Sequence, residues 1–306
     1  MEIQPEGKNF RLVKEEEFSE ILSFLEKFLP DSLKFHQTLK TFINDKVWDF
    51  HFYVSKSWPE VTVLLHFPGV TKTPNGKLYE SFSVFCPCDR LEQLEELENE
   101  DILIDWTEPI YLNFTHELVL EKIEKFYSHI GALEKTYGEV FVLTSDVQGE
   151  QITTTTCFKE DAEIRQLTKE NALTIHDLYP ANHMESIEVF ERLIEKLPCY
   201  GMFSKDGELA AWMVQSYYGA MFSMQTLPEF RRKGYGIVLA RHLTKKVLDR
   251  NYLPFVIIRP ENDASKSLYT KLGFSKSFNM IRAILTPFSK ENGTQNGENE
   301  SEHPPN

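Results

Sequence analysis

The chain has 306 residues, 41% of them hydrophobic and 26% charged, which is room for two compact domains and the composition of a globular protein. Its formal net charge of -14 argues against a nucleic-acid surface, since gripping phosphates takes clustered Lys and Arg. Met1 to Phe18 carries Glu15-Glu16-Glu17 and no apolar run, and nothing approaches the roughly 18 apolar residues that cross a bilayer, so a soluble, intracellular, non-membrane protein is expected, with the cytoplasm as its compartment.

Phe18, Ile21, Leu22, Leu25, Phe28 and Leu29 recur at helical spacing and predict an amphipathic first helix ended by Pro30. Val61 to Phe67 and Ser81 to Cys86 are rich in branched and aromatic residues and predict strands, with Pro74-Asn75-Gly76 as the hairpin turn between them. The 4 cysteines are too irregularly spaced for a disulfide framework. Cys86-Pro87-Cys88 would need two more zinc ligands, and His51 and His66 lie upstream without a recognised spacing, so no metal is expected. Leu91, Leu94 and Leu97 stripe an acidic stretch reaching Glu100, whose glutamates read as a solvated helix face. Thr115 can cap a helix that buries Val119, Ile123, Phe126, Tyr127 and Ile130 and stops at Gly131. Val140 to Thr144 then reads as a strand. Ser145 to Thr156 is polar and threonine-rich, and a domain boundary near 150 is expected there.

In the second half Ile164 to Leu167 predicts a strand and Thr168 caps a helix running toward Tyr179. Ser186 begins another helix, with Ile187, Phe190, Leu193, Ile194 and Leu197 inward. Tyr200 to Phe203 and Leu209 to Val214 flank the hairpin turn Lys205-Asp206-Gly207, and Ala220 to Leu227 is a third strand. A helix with Leu239, Leu243 and Val247, a strand Phe255 to Ile258, a helix Ala264 to Leu272 and a strand from Phe274 complete the order β-α-α-β-β-β-α-β-α-β. Residues 289–306 are polar and rich in Gly, Asn and Glu, and are expected to be a disordered tail.

Between the third strand and the next helix stands Arg231-Arg232-Lys233-Gly234-Tyr235-Gly236. A helix start leaves about four amide N–H groups without partners and favours negative charge, so such a loop suits a diphosphate. It is neither a Walker loop, since Lys and Ser/Thr do not follow the last glycine, nor the dinucleotide fingerprint, which needs a third glycine. Glycines alone would also serve a tight strand-to-helix turn. Downstream, Asn262-Asp263-Ala264-Ser265-Lys266-Ser267-Leu268-Tyr269-Thr270-Lys271-Leu272-Gly273-Phe274 adds the decisive context.

Together these two segments resemble the GNAT superfamily of acyl-CoA N-acyltransferases, which pairs an R/Q-x-x-G-x-G/A loop with a later N-x-x-A-x-x-L-Y-x-x-L-G-F helix; Ser265 stands where that pattern has Ala. The resemblance covers roughly 164–283. It implies an α/β fold with a mixed central sheet and flanking helices over 151–288, preceded by a smaller α/β domain over 1–150 that reads as a degenerate GNAT-like half. It also implies acyl-CoA as co-substrate. Arg231, Arg232, Lys233, Gly234, Tyr235 and Gly236 would hold the pyrophosphate, Thr226 and Leu227 the pantetheine, and Asn262 would lie alongside.

The whole chain is also similar to the glycine N-acyltransferase-like family. Leu29-Pro30-Asp31-Ser32-Leu33-Lys34 resembles that family's "LP-x-SLK", Lys56-Ser57-Trp58-Pro59-Glu60 its "KWPDF", Phe190-Glu191-Arg192-Leu193-Ile194 its "FIERCI", and Thr226-Leu227-Pro228-Glu229-Phe230-Arg231 its "TLPEYR". The likeness implies acyl transfer to an amino-acid amine, glycine above all, and makes a mitochondrial location the alternative compartment. It nominates Glu229 as the base, where a helix dipole alone would also favour a glutamate, and Tyr269 as the acid that protonates the thiolate. A backbone N–H near Leu227 is expected at the oxyanion. The loop with His176, Asp177, His183 and Glu185 falls where acceptor pockets are covered in the superfamily, though each residue alone reads as a surface one. An acetyltransferase of peptide amines or polyamines, which net acidity would suit, and a non-catalytic CoA-binding protein stay open as alternatives.

Overall fold

The computed structural model describes residues 4–72, 78–143 and 162–288; the predicted turn at Pro74-Asn75-Gly76, the threonine-rich stretch and the tail lie outside them. In the first half α1 (Phe18–Glu26) buries Ile21 and Leu25, and these pack with Phe35 and Leu39 of α2 (Leu33–Asp45). Strands β1 (Phe10–Leu12), β2 (His51–Ser55), β3 (Leu64–Lys72) and β4 (Leu78–Phe85) run antiparallel, and β5 (Ile110–His116) lies parallel to β4. The short α3 (Glu95–Glu98) buries Leu97 and leaves Glu95 and Glu98 exposed, but Glu96 is half-buried. Glu100, expected on the solvated face, is fully buried because its carboxylate accepts from the N–H groups of Lys8, Asn9, Ile102 and Leu103. Next, α4 (Glu117–Tyr127) buries Val119, Leu120, Ile123, Phe126 and Tyr127.

Its cap is not Thr115, which is buried in β5 opposite Ile281. His116 takes that place, its Nδ1 accepting from Leu118 N at 3.2 Å. Gly131 does not merely stop the helix; it opens β6 (Gly131–Leu143), a 13-residue strand of which the apolar end alone was predicted. The outer part carries Glu134, Lys135 and Thr136 in succession, and so lacks the continuous apolar run that marks the inner part.

The second half follows the predicted order. β7 (Ala162–Gln166), α5 (Ala172–Leu178), α6 (Ile187–Lys196), β8 (Cys199–Ser204), β9 (Leu209–Gln215), β10 (Met221–Thr226), α7 (Tyr235–Asp249), β11 (Phe255–Ile258), α8 (Asp263–Lys271) and β12 (Phe274–Pro287) follow one another. Strands β7 to β10 form a four-stranded antiparallel sheet.

The remaining strands make one eight-stranded sheet in the order β1-β2-β3-β4-β5-β12-β6-β11. The last strands of the two halves therefore exchange places. β6, from the first half, pairs along β11, while β12, from the second, lies between β6 and β5.

Each half has a point where a strand splays from its neighbour. In the first half the parallel pairing of β4 with β5 ends at Phe82 and Leu112, although both strands continue. The opening is filled. The Nζ of Lys34, fully buried on α2, donates to Ser83 Oγ at 2.6 Å and to the carbonyls of Asn113 and Phe114. In the second half β10 and β11 run side by side with no ladder between them, and the gap is a cavity.

Polar contacts from α2 join the halves. Gln37 Nε2 donates to Leu253 O at 2.7 Å, and Arg250 grips Asp45 through 2.6 and 2.8 Å bonds.

Candidate functional site

The gap between β10 and β11 holds about 290 Å³. Its walls include Met221 to Gln225 from β10, Val256 to Arg259 from β11 and Thr136 to Gly138 from β6. At Gly138 a Cβ would stand 2.5 Å from the Ile257 side chain, so only glycine lets the strands close there. β10 carries a bulge at this point. Ser223 and Met224 oppose the single residue Met213, and Ser223 adopts a left-handed φ of 52°. A bulge breaks the ladder locally and turns backbone groups away from the neighbouring strand.

Tyr269 enters from α8. It is 3% exposed, lines the cavity, and its hydroxyl lies 4.0 Å from the sulfurs of both Met213 and Met224. Burial pushes its phenol above the ordinary value, so it keeps its proton. Asn262 also lines the cavity, but its Oδ1 is committed to capping α8, accepting from Ser265 N at 3.1 Å.

The glycine loop lies on the outer side of Met224. Arg232 and Gly234 have left-handed φ of 63° and 82°, and Lys233 between them does not. Alternating hand aims successive N–H groups into one concavity, the geometry of an anion nest. No side chain caps α7, and Gly236 sits in its first turn where a Cβ would meet only the Met224 side chain, its sulfur at 3.7 Å. The cradle therefore fits a diphosphate that runs on past Met224 toward Tyr269. Arg231 Nε donates to Thr226 O at 3.2 Å, bracing the loop on β10, and Lys233 Nζ sits 4.9 Å from the Phe230 ring centre. Tyr235 is buried in the core beneath.

Two expectations fare differently in space. The Leu227 N–H is taken by Ala210 O at 3.0 Å, so it is not directed at the cavity; the bulge one turn of chain earlier faces it instead. Glu229, in a 3-10 turn over Pro228–Phe230, is exposed and is not among the cavity-lining residues.

Sequence reasoning missed a second cavity of about 90 Å³ that adjoins the first. Phe114, Tyr179, Tyr218, Phe222 and Arg282 line both. Of the predicted acceptor loop, Glu185 faces this cavity, and burial lifts its carboxyl to about 6 against the pull of Arg282 and His176. His176 holds the loop, its Nε2 bonded to Glu185 O at 2.9 Å. His183 and Asp177 are exposed. Trp212 is fully buried core, whereas Tyr217 lines the cavity and its hydroxyl accepts from Asn113 Nδ2 at 3.3 Å. The signal for Arg282 was present: it is one cation inside the apolar run Met280 to Leu285.

Among the described residues one group of metal-ligating side chains converges, Asp31, Cys88 and His116, with atoms within 4.8 Å of one another. Burial and Asp31 push the Cys88 thiol up to about 11, and His116 Nδ1 accepts the cap bond of α4, which leaves Nε2 as the protonated nitrogen facing Asp31. His66, by contrast, is buried and stacked on Phe52, and forms no part of this group.

A splayed strand pair beside an anion nest at the next helix defines a GNAT-type acyltransferase fold. Residues 199–283 match the family model described as FR47-like protein. The chain is 19% identical over 264 residues to the human protein called glycine N-acyltransferase-like protein 2, covering 82% of this chain and 88% of that one. Among solved structures, a Drosophila protein superposes with a TM-score of 0.74 at 21% identity, over 92% of this chain and 99% of its own. A tandem GNAT protein from the clavulanic acid biosynthesis pathway gives 0.52 at 10% identity, over 90% and 97%. The fold is thus that of the GNAT superfamily in a two-domain arrangement. No helix among the described residues is long and apolar enough to cross a membrane.

Proposed function

We propose that this chain is an intracellular acyl-CoA-dependent N-acyltransferase that acylates the amine of a small molecule, glycine or another amino acid. The observation that carries the reading is the cavity between β10 and β11, with the buried Tyr269 on one side of Met224 and the nest at Arg232 to Gly236 on the other. Residues 151–288 would act as the catalytic domain, supported by 1–150.

In this reading the amides and cations of Arg231 to Gly236 grip the pyrophosphate, while Thr226, Leu227 and Asn262 flank the pantetheine. The β10 bulge at Ser223 and Met224 supplies backbone dipoles to the developing oxyanion. A neutral amine attacks the thioester carbonyl, a C–N bond forms, and the C–S bond breaks with its electron pair leaving on sulfur. Tyr269 donates its proton to that sulfur. A carboxylate takes the proton shed by the amine; Glu229 at the exposed rim and Glu185 inside are the two candidates.

Net acidity would also suit a polyamine or peptide amine, but the guanidinium of Arg282 in the second cavity disfavours a cationic acceptor there. Calorimetry with CoA, followed by thiol release from acetyl- and longer acyl-CoAs against glycine, other amino acids and polyamines, tests the reading. No affinity for CoA or its thioesters would overturn it.

A further inference from the structure

β12 presents an apolar run to the core, broken by Arg282. Although it lies deep in the fold, Arg282 keeps part of its surface open because it faces both cavities. Its guanidinium carbon stands 4.3 Å from the centre of the Phe114 ring, and the Tyr111 hydroxyl is its hydrogen-bond partner. Around the smaller cavity stand four phenols, of Tyr111, Tyr179, Tyr217 and Tyr218, all pushed upward by burial and so uncharged. Among the residues lining that cavity Arg282 and Glu185 alone carry ionisable charge of opposite sign.

A guanidinium is a planar fork that matches a carboxylate, and hydration it loses on burial must be replaced by fixed partners. Neutral phenols are among those partners here. On its cavity side the guanidinium can also meet an acceptor's carboxylate, which would hold the acceptor's amine within the cavity that Glu185 lines. An α-amino acid has this form, a carboxylate for Arg282 and an amine whose proton Glu185 can take. The cavity's small volume favours acceptors of few atoms.

We propose that Arg282 is the carboxylate anchor of the acceptor subsite, so that the enzyme selects small amino acids over amines lacking a carboxylate. Glu185 stands on the amine side. The inference rests on the N-acyltransferase reading above. The amine nitrogen, fixed at this boundary between the cavities, forms the C–N bond to the acyl carbon; its proton passes to Glu185, while the departing sulfur is protonated by Tyr269.

The test separates this claim from the reading beneath it. Full-length protein saturated with CoA is titrated with N-acetylglycine and, separately, with N-methylacetamide, the same product without its carboxylate. N-acetylglycine is expected to bind about 100-fold or more tightly than N-methylacetamide, because a site built around a polar partner rejects the analogue that lacks it. Arg282→Gln should erase that preference while CoA still binds, and Arg282→Lys should restore part of it. In turnover, glycine should exceed methylamine by a similar factor in kcat/KM. Equal binding of the two products to wild-type protein, or binding of neither, overturns the proposal, and the wild-type comparison decides even if the variants fail to fold. Loss of CoA binding itself would strike the acyltransferase reading instead.

Discussion

The hydroxyl of Tyr269 and the sulfur of Met224 lie 4.0 Å apart, and the first turn of α7 approaches the same sulfur from the other side at Gly236. One flexible thioether thus separates the candidate proton donor from the candidate phosphate cradle. A thioether is a weak acceptor, so the phenol keeps a proton that a better acceptor, the thiolate, could take.

Replacing Tyr269 by Phe should lower kcat by about 100-fold or more, the usual worth of a positioned general acid. CoA affinity should stay unchanged, since the hydroxyl contacts two sulfurs and no backbone. Single-turnover thiol release alongside calorimetry checks both halves. An unaltered kcat would remove Tyr269 from the chemistry.

The pH profile should tell the two carboxylates apart. Glu185, held at about 6 by burial, serves as a base only when ionised, so kcat/KM should show a limb rising with pH through about 6, below the further rise set by deprotonation of the acceptor's own amine. Arg282 and His176 are the charged neighbours that oppose the upward shift. Glu185→Gln should abolish this limb together with most activity, whereas Glu229→Gln should preserve it. The same shift has a stability counterpart: the folded state holds this proton to higher pH than the unfolded chain, so its contribution is fully present below the unfolded value and lost as pH rises through about 6.

At Gly234, with φ of 82°, alanine should weaken CoA binding about tenfold by straining the nest, and a valine at Gly236 should weaken it further by filling the open side of α7. Titration with CoA measures both. Melting temperatures should move little for the second variant, because a side chain there meets only Met224, at ordinary van der Waals distance.

Asp45→Ala should destabilise the protein by about 2–3 kcal/mol, since it strands a half-buried Arg250. Arg250→Ala added on top should cost little more. Denaturant melts of the two single variants and the double variant give the coupling.

Much of the second half was legible because its patterns are local. The strand Phe255–Ile258, the helix after Asn262 and the hairpin at Asp206-Gly207 each announce themselves within a short window. The first half hid more. α2 buries Lys34, His36, Gln37, Thr38 and Thr41, polar residues that blur an amphipathic stripe because they serve the other half and the filled gap. The glycine loop and Tyr269 could be read from their motifs. Arg282 could not be placed, because its partners Tyr111, Tyr179 and Tyr218 come from distant parts of the chain. Glu229 shows the converse: a motif names a residue without saying whether it faces the cavity or the solvent.

Because β6 and β12 trade positions, neither half carries a complete set of its own walls. A fragment starting near residue 151 would leave β11 without its ladder and delete Thr136 to Gly138 from the wall of the cavity. The molecule is therefore clasped like two interlocked hooks. Lys34 fills the first half's opening, yet that half stays indispensable, because the open cavity borrows a wall from it.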